Sequence, residues 1–252
     1  LAKIAFEKAG ILKRGVTAIV GPQQDDALEV IERQAEKVGA PLLVHGQHWH
    51  VNVESERLIY QDETGLLDLP LPNLPGPHQI QNAGAAIATL RYLGMDEIAC
   101  TAAITQAYWP ARMQRLRTGP LVENLASNEV WLDGGHNPAA GRAIAGTLAS
   151  LAKRETHIIC GMINTKDVKG FLAPIATHCA SLTAVTIPNE PNAVPAPDLA
   201  NFGRSCGLIC FEGADIDQVL RDLSKRHPEA RILICGSLYL AGHVLRENDE
   251  TA

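Results

Sequence analysis

A chain of 252 residues, 46% apolar and 20% charged, is long enough for one large core or two modest ones and too apolar to be disordered throughout. Its 22 Lys and Arg stand against 28 Asp and Glu, a formal charge of -6 with no basic run; this excludes a nucleic-acid footprint and leaves any anionic ligand to local cations. No run approaches the ~20 apolar residues that span a bilayer and no signal-peptide pattern opens the chain, so no membrane partner is expected and the expected location is the cytoplasm.

The first residues, LAKIAFEKAGILKRG, read as a short amphipathic helix closing at Gly10 with no strand before it to pack on, as the middle of a longer chain would begin. Thr17–Val20 suits a strand, Asp25–Val38 a helix with apolar Leu28, Val30, Ile31 and Ala35, and Pro41–Val44 a second strand, together one βαβ unit. His48–Leu71 alternates apolar and polar residues around an Asp62–Gly65 turn, as antiparallel strands do, and runs into the breaker cluster LPLPNLPGP. His78–Leu93 is helical and Ala-rich, a short helix follows Asp96, and Trp109-Pro110 marks a boundary with a hinge nearby.

Beyond it strands and helices alternate. Strands are expected near Val130–Leu132, His157–Cys160, Leu182–Ile187, Leu208–Phe211 and Arg231–Cys235. Helices are expected from Pro138, from Asp167, near Asp198, from Asp215, and finally up to Arg246. Such alternation implies an α/β fold with a parallel, doubly wound sheet. The six cysteines sit among apolar neighbours without CxxC or metal-finger spacing and read as buried thiols of a reducing compartment. His45, His48 and His50 resemble a metal cluster, but alternation on a strand beside a hairpin explains them better.

The segment richest in chemistry is VWLDGGHNPAAGRAIAGTLA, a strand running into Asp133-Gly134-Gly135-His136-Asn137-Pro138 and then a helix. Asn137 is a good N-cap and Pro138 a good first helical residue, while the two glycines permit close approach of backbone to a ligand. Asp133 and His136 then stand at the carboxyl end of a strand beside a helix N-terminus, where open α/β sheets bind ligands and phosphate is favoured. A capped turn with a solvated Asp and His is the competing explanation.

Read together, IAFEKAGILK, GPHQIQNAGAAIA, WPARMQRL, LDGGHNP and CGSLYLAGHVL resemble, in order and nearly end to end, the dihydrofolate synthase/folylpolyglutamate synthase family of the Mur-ligase superfamily. The family's P-loop, GxxGKG[ST], is nowhere in the 252 residues, and roughly the first third or more of a family member is without a counterpart. The resemblance implies that residues 1–110 are the remainder of a Mur-ligase-like ATP-binding domain and 111–252 a Rossmann-like ligase domain, with the site assembled across their boundary and gated by closure.

It also implies roles. Lys8 matches a lysine carried as a carbamate that holds Mg²⁺; otherwise it is a solvated lysine in a helix's last turn. His78, Gln79 and Asn82 match a segment lying along the nucleotide; otherwise they cap a helix start. Arg112 matches the arginine that reaches the ATP γ-phosphate, a task suited to five donors and a permanent charge, while Arg115 and Arg117 read as surface charges. Asp133 would take the ATP ribose hydroxyls and His136 the phosphates. Lys166-Asp167 resembles the family's DKD element, and a capped helix start explains it nearly as well. Departures are Gly135, where the family mostly has alanine and the change is harmless, and Asn192, where arginine is expected.

The implied activity is ATP-dependent amide formation on a monomer. A carboxylate of dihydropteroate or a folate is phosphorylated and the amine of L-glutamate attacks the acyl phosphate, with ATP, Mg²⁺ and a monovalent cation such as K⁺ as cofactors. Neither a Ser-His-Asp nor a Cys-His constellation competes for the role. A Mur-type ligase acting on a cell-wall precursor and a non-catalytic binding module are the rival readings.

Overall fold

The computed structural model describes residues 1–125 and 127–249 and divides into two compact units, Leu1–Tyr108 and Trp109–Ala252.

In the first unit α1 (Ala2–Ala9) ends at Gly10, whose N–H donates to Glu7 O while the next N–H, of Ile11, donates to Lys8 O. β1 (Ala18–Val20) and β2 (Leu42–Val44) pair in parallel, with α2 (Asp25–Val38) as their crossover. Asp25 and Asp26 in the first turn of α2 and Lys37 in its last complement the helix dipole, and Gly39 closes it at a φ of 77°. Only Ala27 and Ala35 of this helix are buried, so Leu28, Val30 and Ile31 are half-covered at best.

The alternating segment becomes an antiparallel meander of β3 (Trp49–Glu54), β4 (Arg57–Asp62) and β5 (Gly65–Leu69). Its first turn, Ser55-Glu56, holds both residues at positive φ (47° and 59°). The sequence reading passes over that turn because neither residue is a usual left-handed former. α3 (Pro77–Tyr92) is pressed against β3 at Gly84, where a Cβ would lie 2.5 Å from Val51 and 2.8 Å from Trp49. α4 (Glu97–Thr105) follows, capped by the Asp96 carboxylate, which accepts from the Ala99 N–H. Trp49, Leu58, Tyr60, Ile87, Cys100 and Ile104 form this unit's core.

Of the three histidines, His45 and His50 are neighbours, with ring centroids 6.1 Å apart, and each has its own setting. His45 packs edge-on against Trp49 at 4.9 Å between centroids, His48 lies in the turn and accepts the Val44 N–H through Nδ1, and His50 is exposed on β3.

The second unit is a six-stranded sheet in the order β10-β9-β8-β11-β7-β6. Its elements run β6 (Gln114–Leu116), β7 (Glu129–Leu132), α5 (Pro138–Ser150), β8 (Thr156–Cys160) and α6 (Val168–Ala176), then β9 (Ser181–Val185), α7 (Ala196–Ser205), β10 (Ile209–Gly213), α8 (Ile216–Arg226), β11 (Arg231–Cys235) and α9 (Leu238–Glu247). All strands but β6 are parallel.

The winding follows from handedness. From β7 through β8 and β9 to β10 the chain steps one way across the sheet, so right-handed crossovers put α5, α6 and α7 on one face. The step back from β10 to β11 reverses direction and puts α8, and α9 after it, on the other. Two separate cores record this. Ile158, Cys160, Leu182 and Leu233 point toward Ile144, Phe171, Leu172 and Leu199, whereas Ile159, Ile232 and Ile234 point toward Leu220, Leu223, Leu240 and Val244.

Two expectations are corrected. Arg115 is not a surface charge: antiparallel pairing sets it opposite Trp131, its guanidinium lies 5.5 Å over that indole, and it bonds Glu129 at 3.1 Å with 26% of its side chain exposed. Nor are all six cysteines buried; Cys179, Cys206 and Cys210 are partly exposed, and all six are free thiols. Among the described residues no helix is long and apolar enough to cross a membrane.

Candidate functional site

β7 and β11 are neighbours whose following helices leave on opposite faces, so the chain parts at their carboxyl ends and leaves a place for a ligand there. The Asp133–Pro138 loop occupies that place. The ladder runs one residue past β7, with the Asp133 N–H donating to Ile234 O at 2.9 Å. The Gly236 N–H donates across to Gly135 O at 3.1 Å.

Asp133 is 6% exposed and faces inward, contrary to the solvated aspartate of the capped-turn alternative. Its Oδ1 accepts the Gly135 N–H at 2.7 Å and its Oδ2 the Met113 N–H at 2.9 Å. Burial of a carboxylate is tolerable only with such partners, and N–H donors to an anion make the stronger class of hydrogen bond.

The glycines serve the protein's own packing. A Cβ on Gly134 would stand 2.3 Å from Leu238, and one on Gly135 2.8 Å from Asp133 Oδ1 and 2.9 Å from Ala140. On the side where each Cβ would stand the space is filled by the protein's own side chains, and the glycine at 135 is fitted to Asp133 and α5.

Asn137 and Pro138 do what their types predict: Asn137 Oδ1 accepts the Ala140 N–H at 2.9 Å and Pro138 opens α5. His136 is half-buried with Nδ1 at 3.1 Å from Gly134 O. A carbonyl can only accept, so that contact assigns the proton to Nδ1 and leaves Nε2 a lone pair in the neutral ring. Only the imidazolium donates from both nitrogens.

Arg112 is exposed between buried Ala111 and Met113. Both flanking residues have positive φ, 54° and 43°, a conformation costing about 1–3 kcal/mol for each non-glycine. The hydrogen bonds that offset it come from the neighbouring loop and from Gln114. Asp133 holds the Met113 N–H, the Gly134 N–H donates to Ala111 O at 2.8 Å, and Gln114 Oε1 takes the Ala111 N–H at 2.9 Å. The Arg112 loop and the Asp133–Pro138 loop therefore form one hydrogen-bonded structure.

Lys8, His78, Gln79 and Asn82 lie in the first unit. Lys8 is exposed in the last turn of α1. Gln79 is buried and Asn82 exposed, and the Asn82 amide donates to Gln79 Oε1 at 2.9 Å. His78 is half-buried at the start of α3. In the second unit Asp167 caps α6, accepting the Gly170 N–H at 2.8 Å, as its capping alternative requires. Asn192, where arginine was expected, bonds Glu190 and receives the Asn164 N–H on its carbonyl.

The sequence reading missed the pairing of Gln79 with Asn82 and the burial of Asp133. An i, i+3 amide spacing signals the first; the second depends on a donor twenty residues away and leaves no local signal.

The family model described as "Dihydrofolate synthetase, C-terminal domain" matches residues 121–247. The folylpolyglutamate synthase of Lacticaseibacillus casei is 27% identical over 97% of this chain and 56% of its own length. E. coli FolC in complex with DHPP and ADP superposes with a TM-score of 0.83 at 28% identity, over 97% of this chain and 56% of that one. The bifunctional folylpolyglutamate synthase/dihydrofolate synthase from Yersinia pestis, complexed with AMPPNP and Mn ion, does so with a TM-score of 0.82 at 25% identity, over 97% and 56%. The chain thus spans little more than half the length of these relatives.

Proposed function

This chain belongs to the dihydrofolate synthetase family, and from that premise we propose that it is part of an ATP-dependent ligase joining L-glutamate to dihydropteroate or a folate. The observation that carries the proposal is the clamped Arg112 loop: a permanent cation is held out on a backbone fixed by Asp133 and Gly134, at the carboxyl ends of a doubly wound sheet. A strained, buried support for an exposed arginine fits a residue whose position matters to chemistry.

In this reading ATP transfers its γ-phosphoryl group to the substrate carboxylate and ADP leaves. The neutral amine of glutamate then attacks the acyl carbon, phosphate departs, and an amide remains. Arg112 offsets the negative charge on the phosphoryl oxygens during transfer. His136, once protonated, donates from Nε2 to a phosphate oxygen while Nδ1 stays on Gly134 O. Asn82, braced by Gln79, and His78 orient the nucleotide, and Asp133 meets the ribose or, by its bonds, the Arg112 loop.

A divalent ion fits only part of this donor set. Lys8 as an ammonium has no lone pair to give, and it becomes an oxygen ligand for Mg²⁺ only as a carbamate, with further oxygens from nucleotide and water. Its exposure leaves the amine open to CO₂. The expected result for the intact enzyme at neutral pH is an added mass of one CO₂ on Lys8; an unmodified lysine by native mass spectrometry rejects the role.

The test of the function is glutamate-dependent ADP release by a protein carrying this chain together with a P-loop segment, with dihydropteroate, tetrahydrofolate and a UDP-muramyl peptide offered in turn. Turnover with a pteroate-type acceptor is expected, and turnover with the muramyl acceptor alone overturns the reading. The 252 residues alone contain no GxxGKG[ST] and are expected to turn over no ATP.

A further inference from the structure

At the amino-terminal edge of the second unit's sheet, opposite the Asp133–Pro138 loop, we infer that Glu155, His157 and His227 bind one divalent transition ion of the Zn²⁺ class. Glu155 immediately precedes β8, His157 is that strand's second residue, and His227 is the C-cap of α8. They are the one group of three such side chains among the described residues whose ligand atoms all lie within 4.8 Å of one another.

His157 is the unusual member. It sits in the run Thr156–Cys160, every residue of which is buried, and is itself 2% exposed. The parallel register places it beside Ser181, and its Nδ1 is 2.7 Å from Ser181 Oγ. Its Nε2 is buried with no hydrogen-bond partner, and Glu155 Oε1 lies 3.6 Å away. An unmet buried ring nitrogen is costly unless something occupies it. With Nδ1–H donating to Ser181, the lone pair of Nε2 points into the cluster, and an oxygen partner on the far nitrogen is how ligating histidines are usually oriented.

The other two ligands are in place and adjustable. The His227 ring lies 4.1 Å from that of His157, centroid to centroid, and its Nδ1 is 3.2 Å from Glu155 Oε2. Ligands at the usual bond lengths around tetrahedral Zn²⁺ stand roughly 3.4 Å apart, so a small closure is needed. Glu155, with 52% of its side chain exposed, and His227, with 34%, have the freedom to make it. The nearby cation, Arg226, is held on its own helix, where Nε donates to Asp222 O. Two imidazoles and one carboxylate with a fourth position open to water suit Zn²⁺ rather than Mg²⁺ or Ca²⁺. A bound ion would tie the start of β8 to the end of α8.

The test is titration of the untagged 252-residue protein with Co²⁺, followed by its visible spectrum, and with Zn²⁺ by calorimetry. One equivalent is expected to bind, with d–d bands and no thiolate charge-transfer band, and to raise the melting temperature. Affinity should fall at least tenfold in His227→Ala and in Glu155→Gln, both at partly exposed positions that leave the fold intact, and in Ser181→Ala through loss of orientation. Absence of binding, a thiolate band, or equal affinity in wild type, His227→Ala and Glu155→Gln overturns the site.

Discussion

Replacing Arg112 by alanine in an enzyme carrying this chain is expected to lower kcat for glutamate-dependent ADP release by roughly 10²- to 10³-fold, with the melting temperature almost unchanged. The two halves of that expectation have separate causes. Arg112 is exposed, and removing an exposed side chain costs within about 0.5 kcal/mol of stability. The strained residues on either side, Ala111 and Met113, keep their backbone hydrogen bonds in the variant, because none of those bonds involves the guanidinium. What is lost is a cation fixed in place before the reaction, so the loss should appear in kcat more than in KM. Arg112→Lys should recover only part of the rate, since an ammonium cannot reproduce the planar fork of donors. Wild-type turnover in Arg112→Ala would remove the arginine from the chemistry and with it the main support for the ligase reading.

The centre of the second unit's sheet was legible because three of its strands are buried on both faces. Thr156–Cys160, Ser181–Val185 and Arg231–Cys235 are unbroken buried runs, and Asn137, Asp167 and Asp215 each announce a helix by capping it. β6 was not legible. It has three residues, two of them polar, and it exists as a strand only because β7 pairs with it. The same limit explains Arg115, whose burial comes from Trp131 and Glu129 on the paired strand. Within the candidate site, the cap and the first helical proline were local and readable. The direction of Asp133 was not, because it depends on Met113, nor was the packing of Gly134 against Leu238, which nothing local announces.

Asp133 is where the family resemblance and the geometry make different demands, and its alanine variant separates them. If the carboxylate serves mainly the ATP ribose, Asp133→Ala should raise KM for ATP and leave stability and kcat nearly alone. The geometry points to a larger effect. Two buried N–H donors, of Met113 and Gly135, lose their acceptor, each at a cost of about 1–3 kcal/mol. A loss of even ~2 kcal/mol in a unit of this size lowers the melting temperature by about 5 °C or more. Freed of the Met113 bond, a backbone held at a φ of 43° should relax, carrying Arg112 from its place, so kcat should fall with the melting temperature. Asp133→Asn keeps one acceptor oxygen and should fall between wild type and alanine in both measurements. A variant series in which KM for ATP rises while melting temperature and kcat hold steady would show that the clamp on the Arg112 loop is dispensable and that the ribose accounts for the aspartate.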